Sequence, residues 1–158
     1  MKLTITHGDL LDQQVEVIVN AWNRNLIPWW LLLPKGISGA IKRHGGTQPF
    51  RELRKHGVLP LGGAVMTGAG RLGFKGIIHV AGIGHDWMPS EKSIRESVRN
   101  ALKLAKDRDI HSIAFPLVGA GTGGMDPAKV MDWMTEEARI SDFDGEVVIV
   151  VYAKGPTA

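Results

Sequence analysis

Polar and apolar residues alternate over Lys2–His7, the period of a strand with one buried face, whereas Val15–Val19 is an unbroken apolar run suited to a strand covered on both sides. Four further segments, Ala64–Gly68, Gly76–Ala81, His111–Pro116 and Glu146–Tyr152, predict strands; the last contains the wholly β-branched run Val147–Val151. Between them Ile37–His44, Pro49–His56, Ser90–Arg108 and Pro127–Arg139 read as helices. In the third, Ile94, Val98, Ala101, Leu102 and Ala105 recur at three- and four-residue spacing, which makes one apolar face and leaves Lys92, Arg95, Arg99, Lys103 and Lys106 toward water. Ser90 is placed to cap that helix, and Pro127 follows Asp126 at a first-turn position. Strands alternating with helices predict a layered α/β domain.

The chain has 158 residues, which is one domain's worth, so residues 1–158 are expected to form one unit. With 44% hydrophobic and 22% charged residues it has the composition of a globular chain, which excludes disordered, collagen-like and coiled-coil readings. A net charge of +3 is too small an excess to argue for a dedicated nucleic-acid binder, though it permits an anionic ligand. The absence of cysteine removes thiolate chemistry, disulfides and cysteine-based zinc sites, and fits a reducing compartment. The first ten residues alternate where a signal peptide would be continuously apolar, and Leu26–Leu33 is short and interrupted by Pro28. A cytoplasmic protein with no membrane contact is expected.

Glycines gather at strand ends. The run Gly119-Ala120-Gly121-Thr122-Gly123-Gly124 follows the strand ending at Pro116 and precedes the helix begun at Pro127. Bare backbone N–H groups at such a turn can face phosphate oxygens, and a tight turn with no ligand is the competing reading. Gly119, Gly121 and Gly124 satisfy G-x-G-x-x-G, but a dinucleotide fingerprint belongs in the first strand-to-helix turn and its acidic partner at the end of the next strand; Asp144 precedes its strand. No Gly-Lys-Ser/Thr occurs, so a Walker loop is excluded.

Six blocks, in this order, resemble the macrodomain, an ADP-ribose-binding α/β/α module. They are Gly8-Asp9-Leu10; Val17-Ile-Val-Asn20-Ala-Trp-Asn23; Gly36-Ile37-Ser38-Gly-Ala-Ile41 with His44-Gly-Gly46; Leu59–Thr67; Ile77–Gly82 with Trp87; and Ile113–Gly124. The resemblance implies a three-layer α/β/α sandwich around a mixed, mostly parallel sheet of about six strands. It further implies adenine at Asp9 and Leu10, ribose at Asn20 and Asn23, and diphosphate between Gly36–Ser38 and Gly119–Met125. Tyr152 stands where the family often has an aromatic against adenine. The residues themselves agree: Asp9 can accept from an exocyclic amine, although capping a helix is an alternative, and asparagine both donates and accepts as ribose hydroxyls require. Asn20 can equally tie down its own loop, so Asn23 is the first choice for the ligand. Tyr152 reads equally as a plain edge-strand aromatic.

The chain also departs from that pattern. Ile27–Lys35 is longer and bulkier than the Gly-Gly-Gly that hydrolytic members often carry, Ser38 stands where an aspartate is frequent, and Met125-Asp126 replaces an aromatic followed by proline. Serine is no general base without a partner. Asn23, Ser38 and Asp126 are the candidates for chemistry, with Asp126 also suited to capping; Lys35, Lys42 and the pair Trp29-Trp30 are lesser candidates. His79 and His85-Asp86 lack metal-ligand spacing, and neither metal nor cofactor is expected. The expected activity is hydrolysis: release of ADP-ribose from modified macromolecules, or deacylation of O-acetyl-ADP-ribose, by a monomer. A reader that binds ADP-ribose without turnover is the alternative. Nucleic acid is expected only as a modified substrate, because the basic clusters Lys42–His44 and Arg51–His56 fit the solvated faces of short helices.

Overall fold

The computed structural model describes residues 1–23, 36–57, 59–83, 89–120 and 125–152. Six strands, β1 (Lys2–Gly8), β2 (Val17–Asn23), β3 (Ala64–Thr67), β4 (Gly76–Ile83), β5 (Ser112–Pro116) and β6 (Glu146–Tyr152), form one sheet in the order β1-β6-β5-β2-β4-β3. Every neighbouring pair is parallel except β3 with β4. The helices are α1 (Gly36–Gly45), α2 (Gln48–Arg54), α3 (Glu91–Asp107) and α4 (Pro127–Ile140), with one 3-10 turn at Leu10–Asp12.

Alternate residues of the central strands enter two separate cores, as the period of two requires. Val17, Val19, Ile113, Phe115, Val147 and Ile149 pack with α3 and α4, while Ile18, Ala114, Val148 and Val150 pack with Ile41, Phe50 and Leu53 of α1 and α2. Helices therefore cover both faces, which makes the expected three-layer sandwich. Residues buried on both faces explain why β2 and β6 read as continuous apolar runs.

Local signals account for the helix boundaries. Ser90 Oγ accepts from the Ser93 N–H while Ser93 Oγ accepts from the Ser90 N–H, a reciprocal cap that starts α3. The third expected helix is thus correct to one residue at each end. Arg95, expected toward water, is instead half-buried among Glu91, Glu136 and Glu137 between α3 and α4. The second expected strand starts two residues late and runs on to Asn23, because Val15 stays outside the sheet while Asn20 is carried into it. No helix among the described residues is long and apolar enough to cross a membrane.

Candidate functional site

The sheet order creates a crevice. From β2 the chain goes to α1 on one face, and from the adjacent β5 it goes to α4 on the other. Where neighbouring strands send their connections to opposite faces, their carboxyl ends are left uncovered, and that is where ligands sit in open α/β sheets. Asn23 ends β2 on one side of this crevice, and Leu117–Ala120 leaves β5 on the other. Asp9 and Tyr152 lie at the same end of the sheet, since β1 and β6 run parallel to β5 and pair Gly8 with Tyr152.

The glycine loop is pinned at its neck. The Met125 N–H donates to the Gly119 carbonyl at 3.2 Å, and the Ala120 N–H donates to the Leu117 carbonyl at 3.3 Å. Gly119 has φ +82°, and a Cβ there would stand 2.9 Å from the Pro89 Cβ, so both the turn and the close approach require glycine. Met125 packs against the core shared with α3 and α4. Gly121, Thr122, Gly123 and Gly124 lie outside the described residues, as do Trp29, Trp30, Lys35, His85 and Asp86.

Asp9 caps the 3-10 turn: its Oδ1 accepts from the Leu11 N–H at 2.9 Å. The carboxylate is half-buried, and Leu10 beside it is a core residue, so only the backbone of Leu10 is available to a ligand. Asp126 is exposed and caps α4, its Oδ1 accepting from the Ala128 N–H at 3.0 Å. Capping orients one oxygen and leaves the carboxylate just past the glycine loop. Tyr152 is 74% exposed. Gly36, Ile37 and Ser38 open α1, which extends from this end of the sheet toward the amino ends of the strands.

Asn20 is a correction. Its side chain is wholly buried, and its Nδ2 lies 3.0 Å from Nδ1 of His79, the residue paired with it across β2 and β4. With no accessible surface it has a place in the sheet and not on the ligand. The chain of contacts continues: His79 Nε2 lies 2.8 Å from Thr67 Oγ1, and that hydroxyl donates to the Gly68 carbonyl at 2.9 Å. A hydroxyl has one proton, so Thr67 must accept from His79 Nε2–H, and Nδ1 must accept from the Asn20 amide. Burial, with a smaller repulsion from His56, pushes the His79 pKa down to about 3, and the ring is neutral. Sequence inspection missed this relay because Asn20, Thr67 and His79 meet only once the strand order is known.

One other feature lies away from the crevice. A depression of about 590 Å³ lined by Gln13, Gln14, Glu16, Lys75 and Ser112 sits at the amino ends of β2, β4 and β5, and a Lys75–Glu16 ion pair of 3.1 Å spans part of it. Among the described residues no group of three or more His, Asp or Glu is placed to hold a metal.

A six-stranded mixed sheet with helices on both faces, a glycine loop after β5 and an open switch point define an α/β ligand-binding domain. The Macro domain family model matches residues 19–134, and the chain belongs to that family. It is 37% identical over 129 residues to a macro domain-containing protein of Caldanaerobacter subterraneus, covering 78% of this chain and 71% of that protein. It is also 37% identical to a protein of Enterobacter cloacae named O-acetyl-ADP-ribose deacetylase, covering 78% and 69%. Among solved structures, a point mutant of the Oceanobacillus iheyensis macrodomain with ADP-ribose superposes with TM-score 0.78 at 28% identity, over 95% of this chain and 84% of that one.

Proposed function

We propose that this chain binds ADP-ribose across the β2/β5 crevice and hydrolyses a bond at its distal ribose, either an O-acetyl ester or the linkage to a modified macromolecule. The observation that carries the reading is the switch point itself, flanked by Asn23 and the pinned Gly119–Met125 loop, in a chain of the macrodomain family. The E. cloacae relative's name and the ADP-ribose in the O. iheyensis structure support the ligand and the reaction class. Adenine falls to Asp9 and Tyr152 at the far end of the crevice, and diphosphate to the backbone amides of Gly119–Met125 and the first turn of α1, Gly36–Ser38.

For an ester, water adds to the acyl carbon, the bond to the ribose oxygen breaks, and that oxygen takes up a proton. Asn23 fixes the distal ribose hydroxyls, the loop amides hold the diphosphate, and the proton from water passes to a phosphate oxygen or to Asp126. Position and electrostatics supply most of the rate, since Ser38 offers no base. The test is turnover of the purified protein against O-acetyl-ADP-ribose and a panel of ADP-ribosylated side chains and nucleobases. A second reading, binding without turnover, is favoured by Ser38 and by the capping role of Asp126; ADP-ribose binding in calorimetry with no product from any panel member would establish it.

A further inference from the structure

The two helical layers differ in charge. Residues 41–75, which build the α1/α2 layer and β3, contain seven lysines and arginines against one acid, Glu52, an excess of six; the whole chain is +3, so everything else together is −3. The α3/α4 layer is balanced instead: residues 90–144 hold eight lysines and arginines against ten acids, and Lys92 pairs with Glu96, Arg95 with Glu91 and Glu136, Arg99 with Glu137, and Lys106 with Asp142. On the α1/α2 layer Arg43, Arg51, Arg54, Lys55 and Arg71 are exposed and have no ion pair among the described residues. Glu52 is turned inward, its carboxylate accepting from the Gly68 N–H and the Gln48 amide.

All five lie on the α1/α2 layer, and four of them can be placed by their local contacts and spacing. Arg51, Arg54 and Lys55 share the outer face of α2 by their three- and four-residue spacing. Arg71 is tied to the end of α1 through its N–H to the Gly45 carbonyl at 2.9 Å, and its guanidinium lies over Gly46. Exposed like charges on one layer repel one another, so their clustering is a cost that an anionic partner would relieve.

We propose that the α1/α2 face docks the phosphate backbone of a nucleic acid, independently of base sequence. Four of the five cations are arginines, whose planar fork matches phosphate oxygens. No exposed aromatic accompanies them; Tyr152, the one large aromatic side chain exposed among the described residues, lies at the end of β6. An acidic protein partner would need such an apolar anchor, whereas a phosphate backbone does not. The face begins about 10 Å down α1 from the crevice, at Arg43, a span covered by about three base pairs of duplex.

The test is fluorescence anisotropy of the purified protein with labelled single-stranded and duplex oligonucleotides from 50 to 200 mM salt. Wild type binds both, with affinity falling steeply as salt rises. The triple variant Arg51→Glu/Arg54→Glu/Lys55→Glu binds at least tenfold more weakly at 50 mM, and its log–log salt slope on duplex is shallower by about 2–3, near 0.9 for each phosphate no longer neutralised. A variant with the same charge change on the opposite layer, Lys92→Glu/Lys103→Glu/Arg139→Glu, keeps most of the affinity. No salt-dependent binding by wild type, equal loss in both variants, or equally tight binding of poly-glutamate would overturn the proposal. Calorimetry with ADP-ribose on the same samples keeps the two readings apart: the first variant retains whatever ADP-ribose affinity wild type has, and a wild type without any would sink the crevice reading and leave this one intact.

Discussion

Asn20 of β2 and His79 of β4 stand side by side in the parallel register, and the 3.0 Å contact between amide and ring is the first link of a buried chain running through Thr67 to the Gly68 carbonyl. The single Thr67 hydroxyl proton is committed to the Gly68 carbonyl, so the relay has a direction and the ring has one tautomer. It also ties β2, β3 and β4 together just before β2 shifts register between Ala21 and Asn23. The sheet is thereby held where Asn23 leaves it for the crevice.

Acid should destabilise the fold through this histidine. The folded pKa of about 3 lies below the ordinary 6.5, so between those values the unfolded chain binds a proton that the native chain does not. Stability from this group is therefore complete above about pH 6.5 and falls as pH drops toward 3, by about 1.4 kcal/mol per unit through the middle of the range. Urea unfolding at pH 7, 5.5 and 4.5 checks the slope. His79→Gln should lower stability at pH 7 by about 1–3 kcal/mol, the cost of disturbing buried partners, while flattening the dependence below pH 6.5. An unchanged slope in the variant would assign the acid sensitivity elsewhere.

The neck of the glycine loop makes a second expectation. Gly119→Ala forces a Cβ into a left-handed backbone at φ +82° and to 2.9 Å from Pro89. The backbone strain alone is about 1–2 kcal/mol, and overlap with Pro89 adds to it. The variant should unfold at lower urea concentration than wild type and bind ADP-ribose more weakly, because the Met125-to-Gly119 closure is displaced. Gly73→Ala is the control, as nothing stands within 4 Å of a Cβ there.

Strands and helices were legible because their signals are local: a β-branched run at Val147–Val151, a three-and-four repeat from Ile94 to Ala105, a serine cap at Ser90. The elements that flank the glycine loop were legible for the same reason, since the strand ending at Pro116 and the proline-started helix at Pro127 are contiguous local signals. What sequence hid was anything made by neighbours in the sheet. Asn20 looked like a ribose ligand beside Asn23, and only the β2/β4 register turns it toward His79. Arg95 looked solvated from its own helix, and Glu136 and Glu137 arrive from another one. Likewise the charges of α2 looked like an ordinary wet face until they were set beside the α3/α4 layer, where residues 90–144 carry ten acids against eight cations.

At the adenine end, Asp9 has two separable jobs. Asp9→Asn keeps a cap acceptor for the Leu11 N–H, found at 2.9 Å, but turns a full carboxylate acceptor into an amide. ADP-ribose affinity should fall by about 1–3 kcal/mol in both Asp9→Asn and Asp9→Ala, with the alanine form also losing about 1 kcal/mol of stability from the missing cap. Calorimetry and urea unfolding on the pair separate these effects. Full affinity in folded Asp9→Asn would move adenine away from this residue.

The last expectation concerns which group receives the proton from water. Asn23→Ala should lose most of kcat, because the distal ribose is no longer oriented for attack, while Ser38→Ala should lose little, because a serine without a base contributes no proton transfer. Asp126 decides between the remaining acceptors. Its Oδ1 is spent on the Ala128 N–H at 3.0 Å, which leaves Oδ2 as the base if the residue acts at all. Asp126→Ser retains a capping oxygen but no base, so comparing it with Asp126→Ala separates the loss of the cap from the loss of proton transfer. If the substrate's own phosphate takes the proton, Asp126→Ser should turn over close to the wild-type rate, with Asp126→Ala mildly slower through a frayed α4. A collapse of kcat in both variants, with ADP-ribose affinity retained, would instead make Asp126 the base. The pH–rate profile is the independent check: an acid limb that Asp126→Ser abolishes would assign proton transfer to the aspartate, and a limb unaltered by that substitution would exclude it.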